Sequence, residues 1–239
     1  MAGEEFMQSN GVRSDTSSAL DQAVRGKVVY LLALMVLVQS AYPITLWGTG
    51  ALALYQLLYA SMIVAGVIVG RDSPRHALWL GVAGAVYLGA GLVYSFNPTA
   101  RWAVFMAYVA LVPYLTLLTS VLVRFVFAAR TITRDVLYAA TAVYVLLGAI
   151  FVPLYGFLET VAPGAIRDGS TPDLPLQWQQ LIYFSYTTLT TAGYGDVLPV
   201  SAWARVVANV EMVVGVLYLT VIMARLVGLY SSERQGDMT

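Results

Sequence analysis

The sequence predicts an all-α membrane protein, and three observations carry that prediction. Hydrophobic residues make up 59% of the 239-residue chain and charged residues 11%, whereas a soluble domain carries about 25% charged residues. The apolar residues gather in six stretches of about 20 residues, the length at which a helix crosses a bilayer. Basic residues concentrate in alternate connecting segments, which is the pattern of a multi-span protein.

The six predicted spans are separated by segments in which turn-forming residues gather. A polar segment, residues 1–26, precedes them and is interpreted as a cytosolic tail with a short interfacial helix near Ser17–Arg25. Proline lies inside three of the apolar runs, where a membrane helix tolerates it as a kink. The predicted spans are Val28–Trp47, Ala51–Gly70, Ala77–Tyr94, Trp102–Ala128, Val136–Leu158 and Ala202–Tyr230.

The distribution of Lys and Arg predicts the orientation of these spans. With six spans and cytosolic ends, ten of the thirteen basic residues lie on the cytosolic side, and only Arg101, Arg167 and Arg205 lie opposite. An excess of Lys and Arg on the cytosolic side is what the positive-inside rule describes. We therefore expect a multi-pass protein of the inner (plasma) membrane, in contact with lipids, with both termini cytoplasmic and a short tail over residues 231–239.

The composition also argues against several classes of function. The formal net charge is zero, which gives no basis for nucleic-acid binding. The chain has no Cys, which excludes disulfides, thiolate catalysis and Cys-based zinc sites. It has a single His and shows no paired carboxylates or nucleophile–base set. We expect no enzyme activity, no cofactor and no soluble ligand.

A segment between the fifth and sixth spans is too short and too polar to cross the membrane. Residues 159–180 are rich in Pro and Gly and lead into Trp178–Leu189, an amphipathic stretch of about 12 residues that fits a re-entrant helix better than a span. This stretch ends at Thr190–Asp196, with the sequence TTAGYGD. We call Thr190–Asp196 the signature loop.

Residues 191–196 of the signature loop resemble the selectivity filter of potassium channels, Thr-Val-Gly-Tyr-Gly-Asp. The resemblance covers about Val136–Tyr230 and is nearest to prokaryotic six-span potassium channels. It implies a homotetramer in which four loops surround an axis and backbone carbonyls replace the water around a permeant K⁺. Gly193 and Gly195 permit the left-handed conformations that such stacked carbonyls need. The implied filter residues are Thr190, Thr191, Ala192, Gly193, Tyr194, Gly195 and Asp196, with K⁺ held at Thr191, Ala192, Gly193 and Tyr194.

The same resemblance divides the chain into two parts. Residues 131–230 correspond to the pore domain of the family, with the fifth span, the re-entrant helix, the filter and the sixth span. Residues 27–130 match the peripheral four-helix domain only in number and position of spans. Within this domain the fourth span carries Arg124, with Arg130 at its edge. Voltage sensors use 3–4 charges per subunit, so we expect at most weak voltage gating.

The sequence departs from the family at several positions around the filter. Ala192 replaces the usual Val, and Tyr183 and Phe184 stand where many members have two Trp. Thr187 stands where some members have Glu. We expect Tyr183 to bond to Asp196 and Thr188 to support Tyr194. These departures predict a filter that collapses more readily at low potassium.

Three residues of the sixth span are candidates for gating. Glu211 is a carboxylate within a span, which counts as functional by default; the alternative is a structural acid bonded to Asn209 or to a Thr of the re-entrant helix. Gly215 is either a hinge or a site of close helix packing. Arg225 either anchors to lipid phosphates or takes part in gating.

Other functions remain open on the sequence alone. Ala192 and the altered helix leave room for a weakly selective cation channel. A potassium-uptake transporter would need four pore-like repeats in one chain, and this chain has one. A non-conducting membrane subunit or membrane enzyme is the third alternative.

Overall fold

A computed structural model describes residues 26–97, 100–171, 174 and 176–236. The interfacial helix expected near Ser17–Arg25 lies outside this part of the chain. The described residues form seven α-helices and one two-stranded antiparallel sheet. The helices are α1 Lys27–Ala41, α2 Thr49–Val69, α3 Pro74–Phe96, α4 Arg101–Ala128, α5 Arg134–Val161, α6 Trp178–Leu189 and α7 Ala202–Gly236, and the strands are β1 Ile166–Asp168 and β2 Val197–Pro199.

Six segments of the described chain are long and apolar enough to cross a membrane, which confirms the all-α membrane fold. They correspond one by one to the six predicted spans and are Lys27–Trp47, Gly50–Val69, Pro74–Phe96, Arg101–Ala128, Arg134–Val161 and Ala202–Ser231. The 12 residues of α6 are too few to cross. The division into a peripheral and a pore domain near residue 130 stays a prediction.

Proline decides where the first helix ends. The α-helix α1 stops at Ala41, and Tyr42–Trp47 continues as a 3₁₀ helix with proline in its first turn. Pro43 lacks the N–H of an α-helical turn and restricts the residue before it. Pro113 and Pro153, in contrast, lie inside the continuous helices α4 and α5, as predicted.

Helix α5 is the element around which the chain packs. Residues 129–133 alone connect α4 to α5, and so short a connection makes the two helices antiparallel neighbours. One apolar core joins α1–α4 to the first half of α5 through buried residues such as Leu31, Tyr114 and Leu146. A second core, which includes Tyr155, Phe184 and Ala204, lies where α5, α6 and α7 meet.

Helix α7 is left largely uncovered by its own chain. In the most apolar stretch of α5, 61% of the residues are buried, whereas only 11% are buried in the equally apolar stretch of α7. Apolar surface is stable only against lipid or protein. Something outside this chain must therefore cover α7.

Candidate functional site

The start of α6 is fixed by a reciprocal capping arrangement. The backbone N–H of Gln177 donates to Gln180 Oε1 at 2.6 Å, and the Gln177 side chain accepts from the first turn. Gln180 Nε2 also donates to Asp168 Oδ2 at 2.5 Å, which ties α6 to β1. The Ser170 N–H donates to Asp168 Oδ1 at 2.7 Å and holds the pKa of that carboxyl below its usual range.

The backbone of the signature loop alternates in handedness. Gly193 and Gly195 have φ of 51° and 81°, as predicted, and Thr191 has φ of 59°. A positive φ is uncommon for a β-branched residue and costs about 1–3 kcal/mol. Left-handed residues at every second position are the conformation that carbonyl groups stacked on one side of a loop require. Sequence reasoning identified the glycines and missed Thr191, because Thr carries no local preference for this conformation.

Backbone hydrogen bonds hold both ends of the signature loop. The N–H groups of Thr191 and Gly193 donate to the carbonyl oxygens of Thr188 and Thr187 at 2.9 and 3.1 Å. At the other end, the Gly169 N–H donates to the Asp196 carbonyl at 2.6 Å. Strand β2 follows directly and pairs with β1. The loop is therefore stretched between the C-terminus of α6 and a small sheet.

Tyr183 is the side chain that supports the outer end of the loop. Its hydroxyl donates to Asp196 Oδ2 at 2.8 Å, which is the contact expected from the sequence. Its ring stacks on that of Tyr194, with centroids 6.3 Å apart and planes within 7°. Thr188 is buried, and the expected support of Tyr194 by Thr188 stays a prediction.

Phe184 and Thr187 do not present their side chains to the signature loop. Phe184 is buried and packs edge-to-face on Tyr155 of α5, with centroids 4.8 Å apart. The Thr187 hydroxyl donates to the Phe184 carbonyl at 3.0 Å. Thr187 acts on the loop through its own carbonyl instead. The periodicity of α6 explains the position of Phe184, because its side chain lies about 100° around the helix from that of Tyr183.

Glu211 joins all three helices behind the signature loop. It is fully buried, and its Oε2 accepts from the Tyr155 hydroxyl of α5 at 2.5 Å. Its Oε1 lies 2.5 Å from the Ser185 hydroxyl of α6. Within this chain its partners are therefore Tyr155 and Ser185, not Asn209 or a Thr of α6; a Thr of a neighbouring chain stays a prediction. No sequence pattern points to Tyr155 or Ser185, because they lie 56 and 26 residues away.

The number of protons available for hydrogen bonding in this cluster favours a protonated Glu211. Ser185 Oγ also lies 2.8 Å from the Gly148 carbonyl oxygen, and a hydroxyl has one proton for two acceptors. If Glu211 carries a proton, it donates to Ser185, which then donates to Gly148 while Tyr155 donates to Glu211. Every polar atom of the cluster is satisfied in that arrangement, as buried groups require.

Gly215 lies where α7 crosses the C-terminus of α6. A Cβ at this position would collide with the carbonyl oxygen of Leu189, the last residue of α6. Close packing, one of the two interpretations of Gly215, therefore requires glycine here. The hinge stays a prediction, and α7 passes through Gly215 as a continuous helix.

Arg225 bonds to α4 and the residue after it at the other end of α7. Its Nη2 donates to the carbonyl oxygens of Phe127 and Ala129 at 2.6 and 2.8 Å, and its Nε donates to Val126 at 3.3 Å. The guanidinium also lies 5.1 Å from the centre of the Phe127 ring. These carbonyls end α4 and have no helical partners. Arg225 thus caps α4, and both interpretations made from the sequence, the lipid anchor and the gating residue, stay predictions.

Comparisons with known proteins agree with this geometry. Residues 132–232 match the model of a family described as ion channel. The chain is 33% identical over 66 residues to the potassium channel protein kcv of Paramecium bursaria Chlorella virus 1. That alignment covers 26% of this chain and 66% of the viral protein, just under two thirds of its length. No solved structure matches the chain significantly.

The matched residues include α5, the capped helix α6, the signature loop and most of α7. The signature loop, with its alternating left-handed residues, lies within this matched range. Residues 132–232 are therefore similar to an ion channel domain, and the similarity to the viral protein supports a potassium-channel-type family.

Proposed function

We propose that this chain is one subunit of a homotetrameric channel that conducts K⁺ passively across the membrane. The observation that carries the proposal is the backbone of the signature loop, with left-handed residues at Thr191, Gly193 and Gly195. Rings of carbonyl oxygens from four such loops can replace the hydration shell of K⁺. The similarity to a viral potassium channel protein favours K⁺ as the permeant ion.

Exposure of the loop and of α7 supports assembly from several copies. Tyr194 is 74% exposed in the single chain, although a filter must be enclosed to strip water from an ion. The uncovered side of α7 carries a series of apolar side chains, among them Val206, Val210 and Leu217. Four copies around the loop axis would cover part of this surface, and lipid would cover the rest.

Contacts at one end of the helix bundle support cytosolic termini. Gly26 N–H, at the start of α1, donates to Asp135 of α5 at 3.3 Å, and Arg124 lies 3.3 Å from His76 at the start of α3. The Arg225 contact with α4 joins the same end. The basic residues of this end mark it as cytosolic by the positive-inside rule, so the signature loop faces the other side.

Potassium flux into liposomes tests the proposal. We expect purified tetramers to pass K⁺, and we expect Gly193→Ala to abolish the flux because alanine disfavours a φ of 51°. Gly228→Ala is the matched control, since a Cβ there meets nothing within 4 Å. Absence of flux from verified wild-type tetramers would contradict conduction and favour a non-conducting subunit.

Ala192 favours one alternative, a weakly selective cation channel. Its side chain is smaller than the usual Val and fills less of the space beside α6, so the loop is less restrained. Reversal potentials with K⁺ on one side and Na⁺ on the other distinguish the two functions. A reversal potential near zero would support the weakly selective channel, and Ala192→Val would then be expected to shift it toward the K⁺ potential.

A further inference from the structure

A cavity of about 80 Å³ lies inside the subunit, away from the signature loop. The residues that line it belong to α1–α6 and lie toward the end of the helix bundle at which α6 begins. Residues that define it include Gln39, Tyr55, Gln56, Ala107, Ala149 and Trp178. Residues of α1–α4 and of the start of α6 thus line the same cavity.

Polar atoms without partners surround this cavity. The Oε1 atoms of Gln39 and Gln56 are buried without a hydrogen-bond partner in the described part of the chain. The Tyr55 hydroxyl is buried beside that of Tyr59. Buried polar groups are almost always hydrogen-bonded. Two acceptor oxygens without partners, on residues that line one cavity, indicate an occupant that donates hydrogen bonds.

The walls also restrict the charge and size of the occupant. None of the described residues that line the cavity is charged, so an ion would lose its hydration without compensation. The rest of the wall is aromatic and aliphatic, with residues such as Tyr87, Val104 and Leu111. Since a cavity of about 150 Å³ admits benzene, this one admits roughly three or four non-hydrogen atoms.

We propose that this cavity is a binding site for a compact neutral hydroxyl compound, with an apolar end against the aromatic wall and a hydroxyl that donates to Gln39 or Gln56. Trp178 and Ile182 of α6 line the same cavity. Trp178 also packs on Tyr55 with ring centroids 5.4 Å apart, and its neighbour Gln179 donates to Thr45 at 3.0 Å. An occupant therefore contacts the helix that precedes the signature loop.

Fluorine NMR of fluoroethanol with the purified full-length protein in detergent micelles tests the binding itself. We expect saturable, millimolar line broadening that is absent with fluoroacetate, a charged compound of similar size. Ala107→Leu fills the cavity and should abolish the saturable part. Ala85→Leu, on an exposed position of α3, is the matched control and should leave it unchanged.

Tyr55→Phe keeps the shape of the wall and removes one hydrogen-bonding group. It should weaken fluoroethanol binding several-fold in protein that remains tetrameric, which separates loss of the site from loss of the fold. Equal broadening in wild type and Ala107→Leu would show partition into the micelle and overturn the proposal. Absence of saturable broadening would show that water alone occupies the cavity, with the same consequence.

An effect on conduction is a second readout that rests on the proposed channel function. Fluoroethanol at saturating concentration should change the potassium flux of wild type and leave that of Ala107→Leu unchanged. Binding without any flux from the protein would contradict the channel function and leave the cavity proposal standing. Flux without saturable fluoroethanol binding would contradict the cavity proposal and leave the channel function standing.

Discussion

Glu211 is the residue whose substitutions separate charge from hydrogen bonding. Glu211→Gln keeps an acceptor for Tyr155 and a donor for Ser185, so we expect stability close to wild type if the native carboxyl is protonated. Glu211→Leu leaves the Tyr155 hydroxyl without a partner, whereas Ser185 keeps the Gly148 carbonyl, and the loss should cost about 1–3 kcal/mol. Thermal unfolding of the purified tetramer measures both variants. A Gln variant as unstable as the Leu variant would contradict the protonated arrangement.

Tyr183 is the side chain on which the outer end of the signature loop depends. Tyr183→Phe removes the hydrogen bond to Asp196 and keeps the ring on Tyr194. We expect normal potassium current at high external potassium and inactivation several-fold faster when external potassium is low. Recordings in planar bilayers measure this, with Tyr30→Phe as a control because Tyr30 is exposed far from the loop. Unchanged inactivation would show that the loop is held by its backbone contacts alone.

At the scale of elements, the crossing of α6 and α7 depends on one glycine. Gly215→Ala introduces a Cβ against the Leu189 carbonyl, and such overpacking costs about 1–3 kcal/mol. Gly228→Ala on the same helix meets no neighbour and should be neutral or stabilising by up to about 1 kcal/mol through helix propensity. Comparison of the two unfolding temperatures isolates packing from propensity. Equal shifts would contradict a close crossing at Gly215.

The contact between α4 and α7 attaches α1–α4 directly to the helices that hold the signature loop. Because residues 129–133 are too few for a separate helix between α4 and α5, α4 packs against α5 of its own chain. Arg225 then fastens the end of α7 to the end of α4. The four peripheral helices therefore form one packed unit with the helices that follow them.

At the scale of the whole molecule, we expect α1–α4 to respond only weakly to voltage. Helix α4 carries Arg124, which is exposed and lies against His76. Moving one charge through 100 mV yields about 2.3 kcal/mol, and sensors move 3–4 charges per subunit. We expect a shallow conductance–voltage curve, with about one elementary charge per subunit or fewer. Arg124→Gln should leave its slope unchanged, and a steep curve that this variant flattens would contradict the prediction.

The orientation of the molecule can be tested because the chain has no native Cys. Ser170→Cys lies in the loop before α6 and Thr131→Cys in the connection between α4 and α5, and both positions are exposed. We expect a membrane-impermeant thiol reagent to label Ser170→Cys on intact cells and Thr131→Cys only after lysis. The opposite labelling would contradict cytosolic termini.

Much of the fold was predictable because its causes are local. The length of an apolar stretch determines whether a helix can cross a bilayer, and the six predicted spans correspond to six helical segments. The boundaries were less predictable. The fifth helix begins at Arg134 because Thr133 caps it by accepting from the Val136 N–H, and the first ends early because Pro43 follows it.

The sequence by itself determined the number of spans, the place of the signature loop and the left-handed residues Gly193 and Gly195. Each of these depends on a few neighbouring residues: their hydrophobicity, their length and the freedom of glycine. Only the tertiary structure decided that Glu211 binds Tyr155 and Ser185, that Arg225 caps α4, and that Thr191 is left-handed. These depend on which helix faces meet, and that is set by packing between residues far apart in the chain.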